Sequence, residues 1–378
     1  MVSLPSQTDD MWEKTVSGFH GTVIDRHNNR DGMMDKRRDV TFDMARSLCI
    51  LWIVGVWHLK DYVCLDGVSE NVMRAGDVVT TAALGAFTFM SGFFLKKYRM
   101  RTVSDALLFY RKRLLRFWVL YFAASASIYM ASVAGGSPWF ASPMSFVLSL
   151  LGLSVLFPPL PGTFWYISML MLFYLTTPLL LVPRKRAWKI VLYAAVEAIL
   201  AVLWLAGVTE DQCMVFFPMY ALGMLVSDRD VDKVKAGRWW VVVCVPVLLM
   251  LSQQIGHKHI ALLSWEVLAL PLLIVLSDIL TRNRIIRWTG QKVSYASMNM
   301  YLFHRHVFLF SVLVLNAGSL HNIREAVMPL WLAVLVVVPV ITVFSYFLQK
   351  AYDSMVSKVL HRRNSHANAD KRRWRSGP

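Results

Sequence analysis

The chain has 378 residues, of which 56% are hydrophobic and only 17% charged, with a formal net charge of +16. A soluble chain carries roughly 25% charged residues, and together with a mean hydropathy of +0.47 this excludes a water-facing globular protein. Four cysteines exclude a disulfide-rich secreted scaffold, and the basic excess leaves nucleic acid or a membrane as its explanation until the charges are placed.

A bilayer-crossing helix needs about 20 mostly apolar residues. Ten such segments are predicted, at 43–62, 75–95, 114–134, 163–183, 188–206, 214–227, 239–255, 260–280, 294–316 and 326–349. An eleventh apolar run, 144–157, is bracketed by Pro138, Pro143, Pro158 and Pro159 and is too short to cross, so it reads as a re-entrant or interfacial helix. Residues 1–38 are polar and lack the apolar core of a cleavable signal, so they read as a disordered cytoplasmic segment. The membrane domain is expected over 39–352, followed by a basic cytoplasmic tail over 353–378, disordered beyond Ser357.

The basic residues test this topology. With the amino terminus inside, 34 of the 40 Lys and Arg fall in cytoplasmic pieces and four outside, at Lys60, Arg74, Lys258 and Arg324. Arg46 and Arg305 lie within spans. The split obeys the positive-inside rule, so the expected fold is an all-α polytopic membrane protein with about ten transmembrane helices and both termini cytoplasmic. The charge then needs no nucleic acid.

Polar groups inside spans are costly and are functional candidates. In the first span Arg46 lies about one turn inside the cytoplasmic face, and His58 lies twelve residues on, about 18 Å further out. A snorkelling Arg and an interfacial His would be the structural alternative. The second span ends Phe89-Met-Ser91-Gly92-Phe93, where Ser-Gly permits a close helix crossing or a local break. Arg113 and Arg116 enter the third span on one face, suited to a phosphate-rich ligand or to anionic headgroups. Trp165-Tyr166 opens the fourth span as cavity lining or as aromatic-belt anchors.

In the ninth span Ser297, Tyr301 and His304 recur on one helix face, which suggests a polar cavity rather than a packing seam. Arg305 needs an anionic or carbonyl partner, and Glu197 and Glu266 are candidates inside other spans. Cys64 and Cys213 both fall on the outer side, where a disulfide and two free thiols are equally open. No nucleotide-binding glycine loop and no zinc-ligand spacing occur, and His257-Lys258-His259 reads as an incidental pair.

Taken in order, these motifs resemble the integral-membrane acyltransferase-3 family, bacterial membrane O-acyltransferases that decorate envelope glycans. The resemblance covers residues 39–349. It rests on Arg46 with His58; Phe89, Ser91, Gly92 and Phe93; Arg113 with Arg116; Trp165, Tyr166, Tyr174 and Pro178; Ala221 and Gly223; and Trp288-x-Gly290 followed by Ser297, Tyr301 and His304. It implies an inner-membrane enzyme with no permanently bound cofactor. Acetyl-CoA at the cytoplasmic side would be the acyl donor, and a glycan or lipid-linked sugar across the bilayer the acceptor. Arg113 and Arg116 would hold the CoA phosphates and Arg46 would line the donor path. His58 would be the general base, with Tyr301, His304, Ser297 and Trp165 around it. A succinyl donor, or a non-enzymatic transporter or lipid-linked sugar flippase, are the competing readings. The latter expects paired inverted repeats, which the sequence does not display.

Three positions depart from the family pattern. Leu170 and Met171 stand where one branch carries acids, and Trp118 replaces a common proline. Eleven residues separate Arg46 from His58 instead of ten. At 100° per residue, twelve steps land about 120° from the starting face, whereas eleven return to within about 20°. The sequence therefore predicts a π-bulge or kink between Leu51 and Trp57, near Gly55.

Overall fold

The structure is a computed structural model, and it describes residues 39–63, 68–98, 100–134, 143–156, 164–252, 254–315 and 328–375. The segment 1–38 and Cys64 lie outside these, while Cys213 is a buried free thiol. Among the described residues the chain is helical, and its one bridge, Val63 to Met328, is isolated.

The first span begins as α1 (Val40–Trp52), continues as a π-turn (Ile53–Trp57) and ends as a 3-10 turn (His58–Tyr62). It packs against α2 (Glu70–Leu95), α11 (Lys258–Leu280) and α12 (Arg284–Leu315). The remaining helices are α3 (Val103–Tyr110), α4 (Arg116–Ala134), α5 (Pro143–Leu150), α6 (Trp165–Leu181), α7 (Arg186–Leu205), α8 (Gln212–Leu225), α9 (Asp228–Ala236), α10 (Arg238–Ser252), the single turn α13 (Leu330–Leu332) and α14 (Val338–Arg375). A second π-turn, Arg111–Leu115, joins α3 to α4, and a third, Ala333–Val337, joins α13 to α14.

Five helical segments among the described residues are long and apolar enough to cross a membrane, and six if α9 and α10 count as one span bent by 87°. They include α7, of whose most apolar window only 11% is buried; an apolar helix exposed all round is one that faces lipid. The other expected spans fall short for identifiable reasons. Helices α6 and α8, with 17 and 14 residues, are apolar but short, and α12, with 32 residues, carries Lys292 and Arg305 along its length.

The closest crossing joins α2 to α8. Any Cβ on Gly92 would overlap the carbonyl oxygen of Tyr220, and one on Gly223 would overlap that of Phe89. The Ser-Gly pair in the second span thus serves packing, as small residues do between membrane helices. Just past the end of α2, Lys96 locks the same crossing. Its ammonium donates to the Val226 carbonyl at 2.8 Å, pairs with Asp228 at 3.2 Å and sits 3.3 Å from the centroid of the Phe93 ring.

The run expected to be re-entrant forms α5 and a 3-10 turn (Ser154–Leu156). Non-helical backbone at membrane depth needs partners within the protein. Tyr121 supplies one by donating to the Ser149 carbonyl at 2.6 Å, and the Trp118 indole N–H donates to the Leu150 carbonyl at 2.6 Å. Ser154 and Ser168 bond at 2.6 Å. Trp118, which replaces the usual proline, thereby anchors this segment.

Helices α3 and α9 begin at capping boxes, Thr102 with Asp105 and Ser227 with Asp230. The backbone N–H groups of Arg101 and Thr102 hold the Asp105 carboxyl below its usual range, and the backbone N–H and hydroxyl of Ser227 do the same for Asp230. A depressed carboxylate stabilises the fold above the ordinary value near ~3.9 and loses that contribution as pH falls through the native value, so both caps hold at neutral pH.

The tail expected to be disordered after Ser357 instead continues α14 to Arg375. It has no Gly or Pro before Gly377 and is rich in Ala, Lys and Arg, which favour helix. The expected boundary at 352/353 falls inside this helix, where Tyr295 donates to Asp353 at 2.6 Å and Asn299 to Gln349 at 3.1 Å.

Adding a methyl group to the α2–α8 crossing should cost about 1–3 kcal/mol, as overpacking does. Gly92→Ala and Gly223→Ala are expected to lower the unfolding temperature in detergent. Gly256→Ala, where an added Cβ meets nothing within 4 Å, serves as the neutral control.

Candidate active site

The π-turn falls where the Arg46-to-His58 spacing requires an extra residue to be absorbed. A π-turn takes about one residue more than an α-turn, which returns His58 toward the face that eleven regular steps would give. At the outer end the chain tightens into the 3-10 turn, and its first residue is His58.

There the His58 ring stacks on His304 of α12, with centroids 4.7 Å apart and planes inclined by 8°. Tyr301 lies 6.1 Å from both rings, and Tyr166 of α6 lies 5.8 Å from Tyr301. His304 is 1% exposed. Its Nδ1 lies 3.1 Å from the Met300 carbonyl and 2.8 Å from the Tyr301 carbonyl. Among the described residues, Nε2 of His304 and Nδ1 of His58 are buried without a hydrogen-bond partner. Unpaired buried nitrogens are costly and mark places where a ligand or substrate completes the bonding.

The turn bearing His58 is clasped to α12. Arg305 pairs with Asp61 at 3.2 Å and donates to the Tyr62 hydroxyl at 3.4 Å, while the Met328 N–H donates to the Tyr62 carbonyl at 2.8 Å. Arg305 therefore does not use Glu197 or Glu266. Asp61 shares the outer end of the site with Arg305, whereas the Glu266 side chain packs against Gly85, half-way along α2.

The other expected site residues divide into near and far. Ser297 is buried one turn from Tyr301 and donates to the Ser294 carbonyl at 2.8 Å. Trp165 stands one ring behind the cavity, edge-on to Tyr166 at 5.7 Å and 5.9 Å from Phe216. The residue of that pair that meets Tyr301 is Tyr166, whose hydroxyl donates to the Leu84 carbonyl at 3.2 Å and bonds Thr88 at 3.0 Å. In the sequence Tyr166 stood as half of the Trp165-Tyr166 pair, with no signal for which of the two rings meets Tyr301.

Arg46 lies at the inner end of the same span, its guanidinium 5.6 Å from the centroid of the Phe94 ring. Arg113 donates to the Tyr98 hydroxyl at 2.8 Å from within the π-turn before α4. Arg116 is the first residue of α4, and its side chain lies outside the described set. No group of His, Cys, Asp and Glu among the described residues could hold a metal ion.

Helices of membrane length around a stacked imidazole pair, with Arg46 at the other end of the first span, define a membrane protein with polar groups gathered between its helices. The acyltransferase-3 family, described as an acyltransferase domain, matches residues 39–349, and the chain belongs to this family. No curated protein and no solved structure matches it.

The Arg305 clasp predicts a local effect. Arg305→Gln should speed amide exchange across 58–62 by about tenfold, a cost of about 1.4 kcal/mol, while leaving α2 protected. Arg305→Lys should restore only part, because an ammonium cannot reproduce the guanidinium fork. Hydrogen exchange with mass-spectrometric detection in detergent measures both.

Proposed function

We propose that this protein is an inner-membrane O-acyltransferase that moves an acetyl group from cytoplasmic acetyl-CoA to a hydroxyl of an exported or cell-surface glycan, polysaccharide or lipopolysaccharide. The observation that carries this reading is the stacked His58–His304 pair with its two unpaired buried nitrogens. Family membership supplies the reaction class.

In this reading ten segments cross the bilayer and both termini are cytoplasmic, as the distribution of Lys and Arg requires. Arg113 and Arg116 bind the CoA phosphates, a task suited to guanidinium groups. Arg46 lines the donor path toward the pair. An imidazole of the pair takes the proton of the acceptor hydroxyl, since an imidazole is a base of suitable strength near neutral pH. The alcohol oxygen bonds to the acyl carbon, the carbon–sulfur bond breaks and the proton passes to sulfur. This route requires no covalent acyl-enzyme and no permanently bound cofactor.

Mass spectrometry of the envelope glycan from cells with and without the protein tests the proposal. A glycan heavier by an acetyl group in its presence is the expected result; a succinyl increment would change the donor. His58→Ala should lower acetylation by about 100-fold or more, in keeping with loss of one imidazole of the reacting pair, with unchanged membrane insertion. Undiminished acetylation by that variant would remove His58 from the chemistry.

A further inference from the structure

His58 and His304 are not equivalent. Both contacts of His304 Nδ1 are backbone carbonyl oxygens, which only accept, so Nδ1 carries the hydrogen. In the neutral ring Nε2 then carries the lone pair. Fixing one ring nitrogen in this way sets what the other can do. That Nε2 is buried and unpaired among the described residues, on a ring 1% exposed. His58 has no anchor of this kind. It opens a 3-10 turn, its Nδ1 is unpaired, and either of its nitrogens can hold the hydrogen. The rings lie nearly parallel at 4.7 Å, and no hydrogen bond joins them.

We propose that the two rings divide the work of acyl transfer: His304 Nε2 is the base that takes the acceptor proton, and His58 donates an N–H hydrogen bond to the thioester carbonyl oxygen. This assignment rests on the acyltransferase reading. As the hydroxyl oxygen forms its bond to the acyl carbon, its proton moves to His304 Nε2. The carbonyl π electrons move to oxygen, where the His58 N–H stabilises the developing charge. Collapse re-forms the carbonyl, breaks the carbon–sulfur bond and leaves the electron pair on sulfur, which takes the proton back from Nε2. Thioester and alcohol become ester and thiol, and both rings end as they began. A ring whose Nδ1 is pinned to backbone presents its Nε2 lone pair in a fixed direction, whereas His58, with an unpaired nitrogen, has an N–H available for an oxyanion.

The titratable and charged groups around His304 are His58, Lys60, Asp61 and Tyr62 on the outer turn, Tyr301 and Arg305 on α12, and Tyr166 on α6, with Tyr121 of α4 behind Tyr301. The experiment follows kcat/KM against pH for acetyl transfer from acetyl-CoA to the acceptor glycan by the full-length purified protein. His58→Asn, His58→Ala, His304→Asn and His304→Ala are compared with wild type after equal acetyl-CoA binding is verified. Asn retains an N–H donor and lacks a base. The expected result is that His58→Asn keeps about tenfold or more of the activity lost in His58→Ala and retains the acid-side fall of the profile. His304→Asn should be as impaired as His304→Ala, and its residual activity should lack that fall. If His58→Asn loses the acid-side fall while His304→Asn keeps it, or if His58→Asn is no better than His58→Ala, the assignment is overturned. Wild-type protein that binds acetyl-CoA and acylates no glycan overturns the acyltransferase reading itself, and the assignment with it.

Discussion

A straight α-helix cannot carry Arg46 and His58 on one face with eleven residues between them. The π-turn at Ile53–Trp57 absorbs the surplus, and the rest of the site follows from that local adjustment. It brings His58 round to α12, where His304 and Tyr301 already share a helical stripe. The 3-10 turn that begins at His58 then carries Asp61 and Tyr62 to Arg305. The Arg305–Asp61 ion pair and the Arg305–Tyr62 hydrogen bond hold the end of the span against α12, and a backbone bond ties Tyr62 to Met328. A charged side chain within a span is expensive, and Arg305 is retained because its partner arrives on the same turn as the imidazole that α12 needs opposite it.

The rigid part of the scaffold lies on the other side of α1. Helix α2 is pressed against α8 through Gly92 and Gly223 and pinned by Lys96. Lipid tails are as apolar as leucine, so helices in a bilayer associate by close fit and interhelical polar bonds rather than by hydrophobic burial. The same rule explains the hydroxyls along α4, α5 and α6. Tyr121, Ser149, Ser154 and Ser168 close the bonds of a segment too short to cross, and Tyr166 ties α6 to α2 beside the cavity.

Much of this was legible in the sequence, for physical reasons that differ by residue. The spacing between Arg46 and His58 announced the π-turn, because helical angle accumulates predictably with residue number. Ser297, Tyr301 and His304 announced a shared face by the same arithmetic. Ser91-Gly92 announced close packing, though not the partner carbonyl. What the sequence withheld depends on which distant segments meet. The partner of Arg305 is not an acid buried in another span but Asp61, three residues beyond His58, and an interfacial residue does not stand out by its cost. The Trp165-Tyr166 pair did not tell which of its rings meets Tyr301, since both suit an aromatic belt. The helix after Ser357 was masked by a charged composition that suits a disordered tail and an extended helix alike.

The imidazole pair raises a constraint of its own. Two rings stacked 4.7 Å apart cannot both be cations without strong repulsion in a low dielectric, so the pair is suited to a reaction in which one proton is taken up and given back. Transfer of an acyl group from sulfur to oxygen has that form, because alcohol and thiol each hold one proton and none is released. A transporter driven by a proton gradient would need the proton to leave by a route different from its entry. Such a route calls for a chain of titratable groups leading from the pair to the cytoplasm. From the pair, ring contacts lead through Tyr301 to Tyr166, whose hydroxyl bonds Thr88, and Arg46 at the other end of the span stands over Phe94 in the cluster of Phe42, Phe89 and Phe93. Phenylalanine and tyrosine side chains do not exchange protons near neutral pH, so this succession of rings suits the acyl-transfer reading better than a proton path.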